Sequence, residues 1–207
     1  MRFARRNANS SINGNPPAPR TGPLRRSDVM LIERAFRLAA IYHHGQARKY
    51  TGEPYIVHPV EVMSILTDHF YFGRDSQSIQ HMLAAALLHD VLEDTYASRE
   101  ALQLEMPDAV ISHVVALTDT PREEGNRKQR KAMDRMRLAA ASAEVHSIKC
   151  ADIISNTRTI VEYDDKFARV YLREINDLLL VLTKAHSDLY QQACVTVAKA
   201  RYRLGRD

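Results

Sequence analysis

The segment AALLHDVLEDT (85–95) ends an apolar run in His89, Asp90, Glu93 and Asp94. Glu93 follows His89 by four residues, and Asp94 follows Asp90 by four. In a helix each pair would share a face, presenting two ligand-type side chains and, one turn on, two carboxylates. Like charges at that spacing repel, and burying such a set without a cation is costly. A bound metal ion would remove the cost, but its other ligands must come from elsewhere in the chain. His58 stands immediately before Pro59 at an expected helix start, and Asp152 sits among Ile148, Ala151, Ile153 and Ile154. A His, His, Asp, Asp set is a mixed nitrogen and oxygen site that suits Mn²⁺, Fe²⁺ or Zn²⁺. It also leaves coordination positions for water and a substrate oxygen. Each residue alone has a structural use as well. His58 can cap a helix, Asp152 can pair with Lys149 or Arg158, and spacing alone leaves both readings open.

The elements that must position these residues read as helices throughout. Ser27 or Asp28 can cap a first helix carrying Leu31, Ile32, Ala35, Phe36, Ala39 and Ile41 at helical spacing. A polar loop from Gly45 to about His58 contains the turn signal TGEP. Pro59 suits the first turn of the next helix, with Val60, Val62, Met63, Ile65 and Leu66 on its buried side. Phe72-Gly73 is expected to close that helix, and the DHFYFGRDSQS stretch to form a long loop. A third helix from about Ser76 leads into His89-Asp90. A short helix near Ser98 and another over Pro107–Leu117 follow. RKQRK (127–131) opens a charged helix, EVHSIKCADIISNTRTIVEY reads as one more, and Lys166–Leu204 supplies two. No alternating strand pattern stands, although EVHSIKC is ambiguous. The expected class is all-α, a bundle of roughly eight to ten helices.

Composition narrows the function. The chain has 207 residues, enough for one domain with a sizeable core and a tail. Its net charge of +4 is unevenly placed: residues 1–27 hold six arginines and no acid, so the remainder carries 23 basic and 25 acidic residues. A basic face for nucleic acid on the folded part is therefore not expected. Residues 1–27, rich in Asn, Pro, Ser and Arg, read as a disordered tail, and 28–207 as the domain. A transit peptide is also Arg-rich and acid-free, but the prolines argue against the amphipathic helix it needs. The longest apolar run, Met82–Leu88, is too short to span a bilayer. With no early apolar segment and two isolated cysteines, Cys150 and Cys194, a cytoplasmic setting is expected and a thiolate zinc site is excluded.

GQARKYTGEPYIVHP, AALLHDVLEDT, ALTD and IKCADIISNTRT together resemble the signature blocks of one family, in order and spacing, over about residues 28–200. It is the HD-domain hydrolase half of the RelA/SpoT-type alarmone enzymes, which also occurs as stand-alone small alarmone hydrolases. The resemblance implies that His58, His89, Asp90 and Asp152 are metal ligands, usually for Mn²⁺, and that Glu93 and Asp94 are the catalytic acids. It implies that Arg48 and Lys49 hold the nucleotide, Arg48 against the base, and that Asn156 and Thr159 contact it. The implied reaction is hydrolysis of the 3′-pyrophosphate of (p)ppGpp to GDP or GTP and pyrophosphate. The implied partner is thus a small nucleotide; no oligomeric state is implied.

The chain departs from the family pattern at three places. YT between Lys49 and Gly52 lengthens the loop by one residue, with Thr51 as a stand-in for a serine. Cys150 and Ile153 replace a leucine and a basic residue. The stretch between His58 and His89 is longer than usual. Nothing resembles a synthetase domain, so a hydrolase alone is expected. Two other readings compete. The same site can serve another phosphorylated nucleotide such as NADPH, or the chain can be a non-catalytic nucleotide-binding module, a role that would not require Glu93-Asp94. His43 and His44 read as packing or capping residues, RKQRK as a solvated face or an anion-attracting one, and Tyr163, Tyr171 and Tyr190 as core.

Overall fold

The computed structural model describes residues 26–70 and 76–205. The expected tail over 1–27 and the closure at Phe72-Gly73 lie largely outside the described residues. Within them there are ten α-helices and no strand; one isolated antiparallel bridge joins Ala47 to Pro54. The order is α1 (Arg26–Tyr42), α2 (Val57–Phe70), α3 (Ser76–Leu88), α4 (Val91–Asp94), α5 (Arg99–Gln103), α6 (Asp108–Leu117), α7 (Arg127–Ala140), α8 (Ala143–Tyr163), α9 (Asp165–Leu179) and α10 (Ser187–Leu204). A 3₁₀ turn, Arg122–Glu124, precedes α7.

The pattern of apolar residues explains the layering. α3 is apolar nearly all round, with Met82 through Leu88 buried, so it must lie at the centre. It packs against α1, α2, α6 and α8. α8 is the second core helix: Ile148, Cys150, Ala151, Ile153 and Ile154 are all buried, and α2, α9 and α10 pack on it. The ambiguous EVHSIKC is therefore the start of a 21-residue helix, capped by the Ser142 side chain on the Val145 N–H. α7 has only Leu138 and Asp134 buried and lies on the outside, its start fixed by a capping box between Asn126 and Gln129.

Several expectations are corrected. α1 already includes Arg26, so Ser27 and Asp28 fall within its first turn rather than before it. Its buried face is Ala35 and Ala39, with Leu31, Ile32, Leu38 and Tyr42 at the margin, while Phe36 and Ile41 point outward. Apolar identity misled there because one stripe of α1 suffices to cover α3. Tyr163 is exposed and stacks on Tyr50 of the loop (ring centroids 6.1 Å apart), whereas Tyr171 and Tyr190 pack against the core. The HDVLED segment is not one continuous helix. α3 stops at Leu88, His89-Asp90 form a turn, and α4 restarts at Val91 with the Asp90 carbonyl accepting from the Glu93 and Asp94 N–H groups.

Candidate metal centre

Three elements converge on one point. The loop after α1 folds back through the Ala47–Pro54 bridge, with the Arg48 N–H donating to Glu53 O at 2.8 Å. Gly52 makes the reversal at φ +72°, a conformation that favours glycine. This delivers Tyr55 and then His58, in the first turn of α2, to the bundle interior. The turn after α3 delivers His89 and Asp90, and the middle of α8 delivers Asp152.

The four side chains lie close together. His58 Nε2 is 3.5 Å from Asp90 Oδ2 and 3.3 Å from Asp152 Oδ1; His89 Nε2 is 3.0 Å and 3.8 Å from the same two oxygens. One donor atom from each of His58, His89 and Asp90 lies within 4.8 Å of the other two. Both histidines and Asp152 are buried.

Hydrogen-bond direction tests whether this cluster fits a metal ion. His89 Nδ1 lies 2.8 Å from the Ala86 carbonyl, which only accepts, so Nδ1 carries the hydrogen. In the neutral ring Nε2 is then a lone pair facing two carboxylates, and this buried atom has no hydrogen-bond partner. Without a cation the ring must be protonated instead. Burial would lower the His89 pKa, but Asp90 and Asp152 hold it well above the ordinary 6.5. The carboxyls respond in kind. Burial would raise Asp90 and Asp152, but His89 in the first case and Lys149 in the second hold both below the usual carboxylate range. A divalent cation held by His58, His89 and Asp90, with Asp152 3.3 Å from His58 Nε2 as the fourth candidate donor, would answer this charge, so the residues present fit a mixed nitrogen and oxygen metal site.

The surrounding residues fix the donors. Lys149 Nζ donates to Asp152 Oδ2 at 2.8 Å, and Asn156 Nδ2 to Asp152 Oδ1 at 2.6 Å. Tyr55 Oη bridges Asp90 Oδ2 (2.6 Å) and Asp94 Oδ2 (3.0 Å). Ser155 Oγ is 3.0 Å from His58 Nδ1 and donates to Glu61 Oε2 at 2.7 Å. Arg48 reaches Glu61 Oε2 at 3.3 Å and Thr159 Oγ1 at 3.2 Å. Lys49 lies apart, exposed, over the Tyr50 ring and 3.5 Å from Asp164 Oδ2. His43, expected to pack or cap, is buried against the Tyr55 ring and bonded to Gln46, whose amide reaches the Asp94 carbonyl.

Beside the cluster lies a cavity of about 370 Å³, lined by Tyr55, Asp90, Glu93, Asp94, Asp152 and Asn156 together with Arg122, Arg127, Arg130, Lys131 and Arg135. Glu93 is exposed to this cleft, with Oε2 accepting from the Asp119 N–H at 3.1 Å. Partial burial of its carboxyl, then the charges of Asp119 and Asp90, push it up to about 7; Asp94 is raised chiefly by burial and by Asp90. Buried Asp134 ties α7 to the preceding loop: it accepts from the Thr120 N–H and hydroxyl and pairs with Arg137 and Lys131. Arg122 and Arg135 have no ion pair among the described residues, and Arg130 Nε is buried without a partner.

The structure thus brings His58, His89, Asp90, Asp152, Glu93, Asp94 and Asn156 to one place, with Arg48 and Thr159 paired behind it. Sequence reasoning gave no role to Tyr55, Glu61, Ser155, Arg122 or Arg135. Spacing carried a signal for two of them: Glu61 follows His58 by three residues and Ser155 follows Asp152 by three, one helical turn in each case.

An HD-domain family model matches residues 35–184. Among curated relatives, a GTP pyrophosphokinase of Streptomyces coelicolor is 36% identical over 151 residues, which is 72% of this chain and 16% of that protein. A probable guanosine-3′,5′-bis(diphosphate) 3′-pyrophosphohydrolase of Synechocystis is 36% identical over 156 residues, 73% of this chain and 20% of that protein. The chain therefore spans a fifth or less of the length of these relatives. Among solved structures, a metazoan ortholog of SpoT, described as hydrolysing ppGpp and playing a role in starvation responses, superposes with a TM-score of 0.71 at 24% identity, covering 82% of this chain and 94% of that one. The Listeria monocytogenes protein lmo0812 superposes with a TM-score of 0.58 at 19% identity, over 74% and 99% of the two chains. The match over residues 35–184, on an all-helical fold that gathers two histidines and two aspartates, means that this chain belongs to the HD-domain family.

Proposed function

We propose that this chain hydrolyses the 3′-pyrophosphate of (p)ppGpp, releasing GDP or GTP and pyrophosphate. The observation that carries the reading is the His58, His89, Asp90, Asp152 cluster opening into a cavity that also holds Glu93 and five cationic side chains of α7 and the turn before it. A polyphosphorylated nucleotide suits that combination, since arginine pairs bidentately with phosphate. The activity described for the Synechocystis relative and for the metazoan SpoT ortholog supports the same substrate.

The four donors would hold a divalent ion, Mn²⁺ in our reading, with Fe²⁺ or Zn²⁺ as alternatives. When bound, such an ion polarises a phosphoryl oxygen and lowers the pKa of water. Glu93 takes the proton of the attacking water: its Oε2 accepts from the Asp119 N–H, its Oε1 has no hydrogen-bond partner among the described residues, and a carboxyl raised toward neutrality is a suitable base. The water oxygen forms a bond to phosphorus, the bond to the ribose 3′-oxygen breaks, and that oxygen takes a proton from solvent, to which Glu93 returns the one it received. Asp94, held by Tyr55, orients rather than accepts. Arg48 and Thr159 hold the nucleoside, Lys49 joins them by leaving Tyr50 and Asp164, and Asn156 contacts the substrate while steadying Asp152. Residues 28–207 form the hydrolase domain, and the free thiols of Cys150 and Cys194 suit a cytoplasmic setting.

Purified chain incubated with Mn²⁺ and ppGpp should release pyrophosphate in a one-to-one ratio with GDP. No release with metal bound would overturn the reading, and a clear preference for NADPH in the same panel would replace the substrate.

A further inference from the structure

Glu61 touches none of the four donor side chains and does not line the cavity, yet it receives three donors. Ser155 Oγ reaches Oε2 at 2.7 Å, Arg48 reaches the same oxygen at 3.3 Å, and Arg158 reaches Oε1 at 3.5 Å. We infer that Glu61 is a positioning residue that sets which nitrogen of His58 is free for a metal ion, acting through Ser155. The inference rests on the reading of His58 as a ligand, but not on the substrate.

The argument is one of hydrogen count. A serine hydroxyl has one hydrogen. An ionised carboxylate only accepts, so at 2.7 Å Ser155 gives that hydrogen to Glu61. The Ser155 oxygen can then only accept from His58 Nδ1, 3.0 Å away, and Nδ1 must carry the ring hydrogen. In the neutral ring this leaves Nε2 as a lone pair directed at Asp90 and Asp152, as a ligand must be. Remove the carboxylate and Ser155 is free to donate to Nδ1 instead. The hydrogen then moves to Nε2, and His58 presents N–H where an ion needs a lone pair.

His89 reaches the same polarity by a different device, a backbone carbonyl. No side-chain substitution can invert a carbonyl, so only the His58 half of the site is set by a replaceable side chain. Glu61 also spends part of its charge on Arg48, which joins the loop proposed to hold the nucleoside to the ligand's orientation.

Two variants of the full chain, Glu61→Leu and Ser155→Ala, test this; leucine leaves Ser155 no acceptor, whereas a glutamine oxygen would still accept. Calorimetric titration with Mn²⁺ should show affinity about 10- to 100-fold weaker for each, the size of effect typical of outer residues at metal sites. Nitrogen NMR of the imidazoles, on metal-free protein at alkaline pH, should place the hydrogen on His58 Nδ1 in the unsubstituted chain and shift it toward Nε2 in Glu61→Leu. A merely structural role would lower the unfolding temperature without moving that hydrogen. If Glu61→Leu does not fold, Ser155→Ala carries the test, since it removes the relay and leaves Arg48 paired with Glu61. Unchanged Mn²⁺ affinity in the folded variants, or an Nδ1 hydrogen that persists in Glu61→Leu, overturns the inference. Should the unsubstituted chain bind no divalent ion, the metal reading fails, and the metal-free imidazole spectrum still decides the relay.

Discussion

The α2–α8 region and the α7 region both contribute charged side chains to one cavity, but under opposite physical conditions. Around α8 the groups that hold the candidate donors are specifically partnered: Asp152 has Lys149 and Asn156, His58 has Ser155, and Ser155 has Glu61. Around α7 the cations are half-buried or exposed, and Arg122 and Arg135 carry no ion pair among the described residues. Burial makes each electrostatic interaction strong and each unpaired group costly, so a fixed donor set belongs on α8. Exposure makes interactions weak and salt-sensitive, which suits a surface that attracts a mobile anion and lets its product leave. One region is preorganised and the other is adaptable.

Substitutions should separate the two regions by size of effect. Asp152→Ala should do the most. It removes a proposed donor and strands Lys149, so Mn²⁺ affinity should fall by more than the about 100-fold that outer residues reach. Unfolding in urea should show a loss of about 3–5 kcal/mol. Glu93→Gln should cut kcat by about 10²- to 10⁴-fold while calorimetry shows Mn²⁺ binding retained, because in the proposed reaction the group moves a proton and does not hold the ion. Arg130→Ala combined with Arg135→Ala should raise KM about 10- to 100-fold, the worth of a charge-assisted hydrogen bond, with little change in Mn²⁺ affinity. The gap from the unsubstituted chain should narrow with added salt. If the arginine pair disturbed metal binding as strongly as Asp152, the contrast between the regions would not hold.

Two smaller effects sharpen it further. Glu93 is raised from 4.5 to about 7, so between those values the folded metal-free chain keeps a proton that the unfolded chain has lost. Its contribution to stability is present in full below the lower value and disappears as pH climbs through the upper one. Urea midpoints of metal-free protein should follow that slope, and Glu93→Gln should flatten it. Arg127→Ala should matter least to stability. Its bidentate pair with Glu174 is well formed at 2.7 Å but exposed, worth at most about 1 kcal/mol in the same assay.

Local pattern was enough for most of the helices. α3 is legible because seven consecutive apolar residues can only be a core segment, and α8 because its buried positions recur with helical period. The break at His89-Asp90 was not legible, since neither glycine nor proline marks it. It coincides with three contacts from distant segments: the Tyr55 hydroxyl and the His58 ring on Asp90, and Asp152 on the His89 ring. Phe36 and Tyr163 were misplaced for a related reason. Apolar character says that a residue can be buried, and only the neighbouring helices say whether it is.

By itself the sequence determined the all-helical class and the residue types able to bind a cation and move a proton. These follow from composition, helical period and side-chain chemistry, all of which are local. Tertiary structure decided that His58, His89, Asp90 and Asp152 meet. It also decided that Asp152 takes Lys149 rather than Arg158, and that Glu61 stands behind His58. Those pairings cross the packing of α2, α3 and α8, and His58 and Ser155 are 97 residues apart. No local preference encodes such a pairing; it exists only once the buried faces of three helices have fixed their register.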